Sequence, residues 1–344
     1  MASTPVGVGF VGCGYIAEVH QRALNRVGGA RINAVFDIDA ARAASFSDAT
    51  GARVTLTVEE LASAPDVDVV YVCTPHADHV EPVVVATRHG KYVLCEKPLT
   101  SSREAAAEMA AGVGAAADRV VVGFNHRFMP GVRRLVAAAR AMPADRRIVE
   151  LSLAAPPHLE TWYGLRDGGG GVFTSMGAHG LDLLAHLTGS PLNEFWAVGG
   201  NARLGPPYAE DVGIVTARLD GGTWATVTFH DSGSDRYSLD AFGLLRLRIV
   251  RDGAVLEATP TTFRAYSATE GLVADEAFPA DDIVTGLGYD TLNAAVLNLV
   301  TTGRVDAPLA TFADGQRAVE AVARAMRAAR VTSAGPLTGV ESFR

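Results

Sequence analysis

At 344 residues, with 48% hydrophobic and 20% charged side chains, the chain is long enough for two substantial cores and ordinary for a soluble globular protein. A formal net charge of −8 and the lack of any Lys/Arg block to follow a phosphate backbone argue against a nucleic-acid partner. No run reaches the roughly 20 apolar residues of a membrane span, the start lacks the pattern of an export leader, and the odd cysteine count (Cys13, Cys73, Cys95) argues against a disulfide framework, so a cytoplasmic setting without membrane contact is expected.

The first apolar run, Val6–Val11, reads as a buried strand and continues as Gly12-Cys13-Gly14-Tyr15-Ile16-Ala17, a GxGxxA pattern. Gly12 permits a sharp turn, Gly14 lets backbone approach a pyrophosphate, and Ala17 lets the next helix pack closely on the strand. The helix start offers unpaired N–H groups and a positive dipole end. Ala30–Phe36 reads as the second strand, and Asp37 follows it, 23 positions after Gly14. A carboxylate there accepts both hydroxyls of an adenine ribose and repels a 2′-phosphate. That reading is preferred to a simple cap on the helix starting near Asp39. NAD is therefore expected ahead of NADP, with Arg42 near enough to soften the preference.

Helices at about 39–50 and 58–64 then alternate with strands near Val54 and at Asp68–Cys73. A helix over about 77–90 leads to Tyr92–Cys95, and an alanine-rich helix over about 103–117 precedes Val120–Phe124. Continuous Val-rich strands separated by helices are the pattern of a parallel sheet covered on both faces. Residues 1–125 are thus expected to form a doubly wound parallel α/β sheet, a Rossmann domain.

The rhythm then changes. A helix over about 131–142 and a strand at Ile148–Leu153 precede a Pro- and Gly-rich loop, followed by a helix over about 174–187. Strands follow at Phe195–Val198, Val212–Leu219, Thr223–His230, up to Val250 and near Val255–Ala258, with closing helices over about 290–302 and 313–330. Residues 126–344 are read as an α+β domain for substrate binding and oligomerisation, built on a large, mostly antiparallel open sheet, its closing helices free to pack back on the first domain.

Four further motifs stand in order after the glycine turn: Thr74-Pro75-His76, Glu96-Lys97-Pro98, Gly123-Phe124-Asn125-His126-Arg127-Phe128, and Gly169-Gly170-Gly171 ahead of Gly177-Ala178-His179-Gly180-Leu181-Asp182. Together they resemble the Gfo/Idh/MocA family of oxidoreductases over essentially the whole chain. Independently of that likeness, ligands of a parallel sheet lie beyond the carboxyl ends of its strands, where Thr74-Pro75, Glu96-Lys97-Pro98 and Asn125 all fall. The resemblance implies that Thr74-Pro75 backs a nicotinamide, that Lys97 reaches a substrate hydroxyl or carbonyl, and that His179 is the proton-transfer partner. The cofactor set is read as Gly12, Gly14, Tyr15, Ile16, Asp37, Thr74, Pro75, His76, Glu96, Lys97 and Asn125. Lys97 and His179 form the catalytic pair, and the substrate set adds Asn125, Arg127, Trp162, Tyr163 and Ser175.

Blander readings stand beside these. Lys97 can be a solvated turn lysine and His179 a locally satisfied helix histidine beside Asp182 and His186. Asn125 and Arg127 can hold the strand end and the domain joint as well as touch substrate. Trp162 and Tyr163 suit either a wall for a sugar ring or packing. His76 and His79 lack the Cys or acidic partners of a metal site, so no metal is expected. Members of the family often carry an aspartate four residues before the histidine. Ser175 stands there, so Lys97 and His179 must suffice or be joined by Tyr163, His158 or Asp167. The expected activity is hydride transfer between NAD(H) and a secondary alcohol or ketone of a sugar, amino sugar or cyclitol. The alternatives are an NAD-dependent regulatory protein and a redox-cycling glycoside hydrolase or lyase. The expected assembly is a homodimer or homotetramer through the second sheet.

Overall fold

The computed structural model describes residues 4–143, 145–155, 162–165, 170–190, 192, 194–202, 208–231, 245–305 and 308–329. His158 and Asp167 lie outside the described residues. The chain divides into two compact units, the first made of 1–130 with 279–319, the second of 131–278 with 320–344.

In the first unit, strand and helix alternate in order: β1 (Val6–Val11), α1 (Tyr15–Val27), β2 (Ala30–Phe36), α2 (Ala40–Thr50), β3 (Arg53–Val54), α3 (Val58–Ser63), β4 (Val69–Val72), α4 (Val80–Arg88), β5 (Tyr92–Cys95), α5 (Arg103–Val113) and β6 (Val120–Val122). All six strands are parallel. β1, β4 and β6 are buried at every position, as expected of strands covered on both faces. Side-chain caps set several helix starts: Asp39 accepts from Ala41 and Arg42 N–H, Thr57 from Glu60 N–H, and Ser102 from Ala105 N–H.

The second unit takes α6 (Pro130–Arg140, but for its first residue), β7 (Ile148–Ala155), α7 (Ala178–Thr188), β8 (Glu194–Gly200), β9 (Val212–Arg218), β10 (Trp224–Asp231), β11 (Leu245–Arg251), β12 (Ala254–Ala258), β13 (Thr262–Ser267) and β14 (Gly271–Ala277). Its eight strands run in the order β14-β13-β12-β11-β7-β10-β9-β8. Every neighbouring pair is antiparallel except β7 and β10. One face is core: Val215, Ala217, Val227, Phe229, Leu247 and Ile249 are buried. Helix α7 lies on that face at Gly180, where a Cβ would come within 2.8 Å of Leu153. The other face is open, with Trp196 stacked on Trp224 at 5.8 Å among the exposed Ile148, Val198 and Ile214. The hairpin β13–β14 extends this sheet beyond the strands expected from sequence.

The chain then returns to the first unit with α8 (Ile283–Gly286), α9 (Tyr289–Thr302), β15 (Ala310–Thr311) and the start of α10 (Phe312–Ala328). The short β15 adds an antiparallel edge beside β6, giving the order β15-β6-β5-β4-β1-β2-β3. None of the described helices is long and apolar enough to cross a membrane.

Candidate functional site

The order of the first sheet reverses between β1 and β4: the chain runs outward through β2 and β3, then crosses back. Ligands of open α/β sheets bind at such a reversal, beyond the carboxyl ends of the strands. Gly12 ends β1 there with φ +89°, and a Cβ on it would lie 2.6 Å from the Cys73 carbonyl at the end of β4. Only glycine combines that backbone angle with that approach. Gly14, by contrast, faces open space, and α1 starts at it with no side-chain cap. The first-turn N–H groups of α1 are thus left for an anion, which is the cradle a pyrophosphate needs. Tyr15 is exposed beside it and Ile16 half-buried.

Asp37, at the end of β2, uses one carboxylate oxygen to accept from Cys13 N–H at 2.8 Å and the other to accept from Asp39 N–H at 2.8 Å. The cap of α2 is Asp39 rather than Asp37. Asp37 instead ties the glycine turn to the end of the neighbouring strand, with Arg42 3.8 Å away. Burial, reinforced by Asp37, pushes the Cys13 thiol up to about 12, so it stays protonated and acts as a small side chain. The donor cradle, the open approach at Gly14 and the fixed acid at Asp37 fit a dinucleotide.

At the end of β4, Thr74 Oγ1 donates to the Asp78 carbonyl across a short 3₁₀ turn, His76–Asp78. His76 is buried, and both ring nitrogens of His79 meet backbone carbonyls, Nδ1 those of Pro98 and Leu99 and Nε2 that of Thr74. Among the described residues no cluster of three or more His, Cys, Asp or Glu can hold a metal ion. At the end of β5, Lys97 is half-buried and its peptide to Pro98 is cis. Glu96 turns inward, accepting from His20 Nε2 at 3.0 Å and from Lys97 N–H at 3.0 Å. After β6, Asn125 donates to the Leu287 carbonyl at 3.0 Å, while Arg127 lies 3.5 Å from Asp314 and donates to the Pro308 carbonyl. Asn125 and Arg127 thus clamp the returning segment 279–319 onto the sheet. His126, in the same turn, is fully buried; burial and then the Lys97 ammonium push its imidazole down to about 3, so it remains neutral near neutral pH.

In the second unit, α7 is preceded by a π turn, Phe173–Gly177, anchored by an edge-to-face contact of Phe173 with Phe229 at 4.7 Å. Ser175 lies in this turn, and its hydroxyl donates to the Gly171 carbonyl at 2.8 Å. His179 and Asp182 follow on α7, both buried. Trp162 and Tyr163 form a 3₁₀ turn and meet edge to face at 5.2 Å. Glu210, absent from the sequence reading, is buried and accepts from Phe173 N–H, holding the start of the π turn.

A doubly wound domain with a dinucleotide cradle at its switch point, joined to a second unit built on an open sheet, is the architecture of a dinucleotide-binding protein. Residues 6–124 match the profile described as "Oxidoreductase family, NAD-binding Rossmann fold", and residues 147–254 match the GFO/IDH/MocA C-terminal domain. The chain belongs to the Gfo/Idh/MocA family, and its first unit carries an NAD-binding Rossmann domain. It is 34% identical over 246 residues to 1,5-anhydro-D-fructose reductase of Ensifer adhaerens, covering 68% of this chain and 71% of that one. It is 29% identical to the oxidoreductase YrbE of Bacillus subtilis, over 64% of this chain and 65%, just under two thirds, of that one. The fold matches levoglucosan dehydrogenase in complex with NADH and L-sorbose, with a TM-score of 0.83 at 18% identity, over 95% of this chain and 97% of that one.

Proposed function

We propose that the protein is a cytoplasmic NAD-dependent dehydrogenase or ketoreductase acting on a secondary alcohol or ketone of a sugar, amino sugar or cyclitol. The observation that carries this reading is the row of groups at the carboxyl ends of five adjacent parallel strands: Asp37, the Gly12–Gly14 turn, Thr74-Pro75, Lys97 and Asn125. The likeness to a reductase of an anhydro-sugar supports the substrate class. A bound NAD(H) would supply the hydride acceptor for the carbinol carbon, or the hydride donor for the matching carbonyl carbon. The chain's own work is binding and charge. The N-terminus of α1 holds the pyrophosphate, and Asp37 accepts the ribose hydroxyls and disfavours a 2′-phosphate. Lys97 stabilises the oxyanion that develops on the substrate, His179 takes or returns the hydroxyl proton, and Trp162 and Tyr163 wall the ring. Ser175 contributes a neutral hydroxyl where relatives often place a carboxylate. A second copy of the chain is proposed to cover the open sheet face around Trp196 and Trp224, giving a homodimer or homotetramer.

The test is NADH formation, followed by near-ultraviolet absorbance, across a panel of sugars, amino sugars and cyclitols with NAD and NADP in parallel, and the reverse reaction with the matching ketones. Turnover with NAD on one ring class is expected. Silence in both directions while NAD still binds overturns the reading in favour of a regulatory protein, and a cleaved product without net NADH in favour of redox cycling.

A further inference from the structure

Helix α1 carries a histidine, His20, whose side chain is wholly buried. Both of its ring nitrogens are engaged. Nε2 lies 3.0 Å from Glu96 Oε1, and Nδ1 lies 3.0 Å from Asn293 Nδ2 on α9. The hydrogen-bond network assigns the tautomer. Asn293 Nδ2 is committed as a donor to the Tyr289 carbonyl at 2.7 Å, which fixes the amide. His20 Nδ1 meets the Asn293 amide, Nδ2 at 3.0 Å and Oδ1 at 3.3 Å, and Nε2–H donates to the carboxylate, which can only accept. Glu96 has one oxygen left, and that oxygen accepts from the backbone N–H of Lys97 at 3.0 Å.

This arrangement is costly to build. A buried carboxylate must recover its lost hydration from good donors, and an apolar pair would fill the same volume without that penalty. The fold also makes room for it: a Cβ at Gly123, at the end of the next strand, would lie 2.6 Å from Glu96 Oε1. The second oxygen is spent at a particular place. Glu96 N–H still pairs with the Val72 carbonyl of β4, but β5 has ended before Lys97, and Pro98 has no N–H to give. The carboxylate thus supplies the partner of Lys97 N–H at the point where the ladder stops.

We propose that His20, backed by Asn293, is a positioning residue for Lys97: it fixes the Glu96 carboxylate, which in turn fixes the backbone from which the Lys97 side chain projects. The inference rests on the reading of Lys97 as the group that meets the substrate oxygen. Substrate groups held even 1 Å off lose rate by orders of magnitude, so a distant hydrogen bond can govern turnover without touching substrate.

The sequence offers a direct readout, because Lys91 and Lys97 are its only lysines. Lys91 donates to the Ala64 carbonyl and reports on the fold away from this network. The experiment compares His20→Phe, which keeps a ring and removes both nitrogens, with His20→Gln, whose amide can still donate to Glu96. Reductive methylation of the full-length protein, read by peptide mass spectrometry, gives the ratio of labelling rates at Lys97 and Lys91. His20→Phe is expected to change that ratio at least threefold and to lower kcat tenfold or more, with NAD affinity by NADH fluorescence within threefold. His20→Gln is expected to restore both. In a Lys97→Ala background, His20→Phe is expected to lower kcat no further. An unchanged labelling ratio in His20→Phe overturns the inference, as does a kcat loss that adds to that of Lys97→Ala. If His20→Phe does not fold, His20→Gln against Asn293→Leu gives the same comparison, and equal labelling ratios in those two overturn it. If Lys97→Ala retains full turnover, the catalytic reading of Lys97 fails, while the labelling ratio still decides whether His20 positions it.

Discussion

The two sheets of this protein solve opposite problems. In the first, the strands that flank the switch point are buried at every residue, because helices cover both faces. In the second, β9 alternates buried and open positions, and the outer face presents two stacked tryptophans. A sheet buried on both sides can offer a ligand only its strand ends, and there the first unit gathers the glycine turn, Asp37, Thr74, Lys97 and Asn125. A sheet with one open face instead carries helix α7 and its π turn on its core side and leaves its far side exposed.

The sharpest way to separate the units is chemical. Lys97→Ala is expected to lower kcat a thousandfold or more, about 4 kcal/mol in the barrier, while NAD affinity measured by NADH fluorescence stays within a few-fold. An equal loss of NAD affinity would show that Lys97 serves the cradle rather than the reacting oxygen. Next in size is Phe229→Ala, which removes the ring supporting Phe173 and the π turn. A loss of about 3–5 kcal/mol is expected in urea denaturation, and a value below 1 kcal/mol would mean that the second core closes over the vacated space.

Acid should act through the first unit. His126, pushed down to about 3 from an ordinary 6.5, and His79, also lowered by burial, bind protons more readily in the unfolded chain. Their contribution is complete above about pH 6.5 and is lost as pH falls below it, for His126 down to about pH 3 and by at most about 5 kcal/mol. Urea midpoints measured across that window should fall with pH, and His126→Gln should flatten the slope. The smallest effect is expected on the open face. Trp196→Asp should change the stability of the isolated fold by no more than about 0.5 kcal/mol, yet shift the assembly toward monomer by light scattering. A variant that remains assembled would place the subunit contact elsewhere.

Much of the first unit was legible in the chain because Val-rich runs between helices have few other solutions, and because strand ends locate a ligand once a sheet is parallel. Glu96 was legible as a residue at that edge, but not the inward turn of its carboxylate. Its partners His20 and Asn293 come from helices 273 residues apart, and neither position carries a local sign of the contact. Arg127 likewise finds its carboxylate at Asp314, on a segment that rejoins the first unit only after the whole second sheet. The hairpin β13–β14 escaped because all its residues but Phe263 are half-buried or exposed, so no apolar face marks it. The π turn left no trace because a widened turn changes hydrogen bonding without changing composition.

The placement of β7 bears on how the second unit assembles in time. β10 and β11 are close in sequence, yet β7 lies between them, parallel to one and antiparallel to the other. The wings β8–β10 and β11–β14 can each zip up from local turns, but the seam that joins them needs a strand made some 70 residues earlier. Closure of that long loop must precede the contacts that reward it, and topologies of this kind fold slowly. Until β7 is seated, the two wings hold unpaired inner edges, so the barrier to a complete second unit lies in one strand rather than in the sheet as a whole.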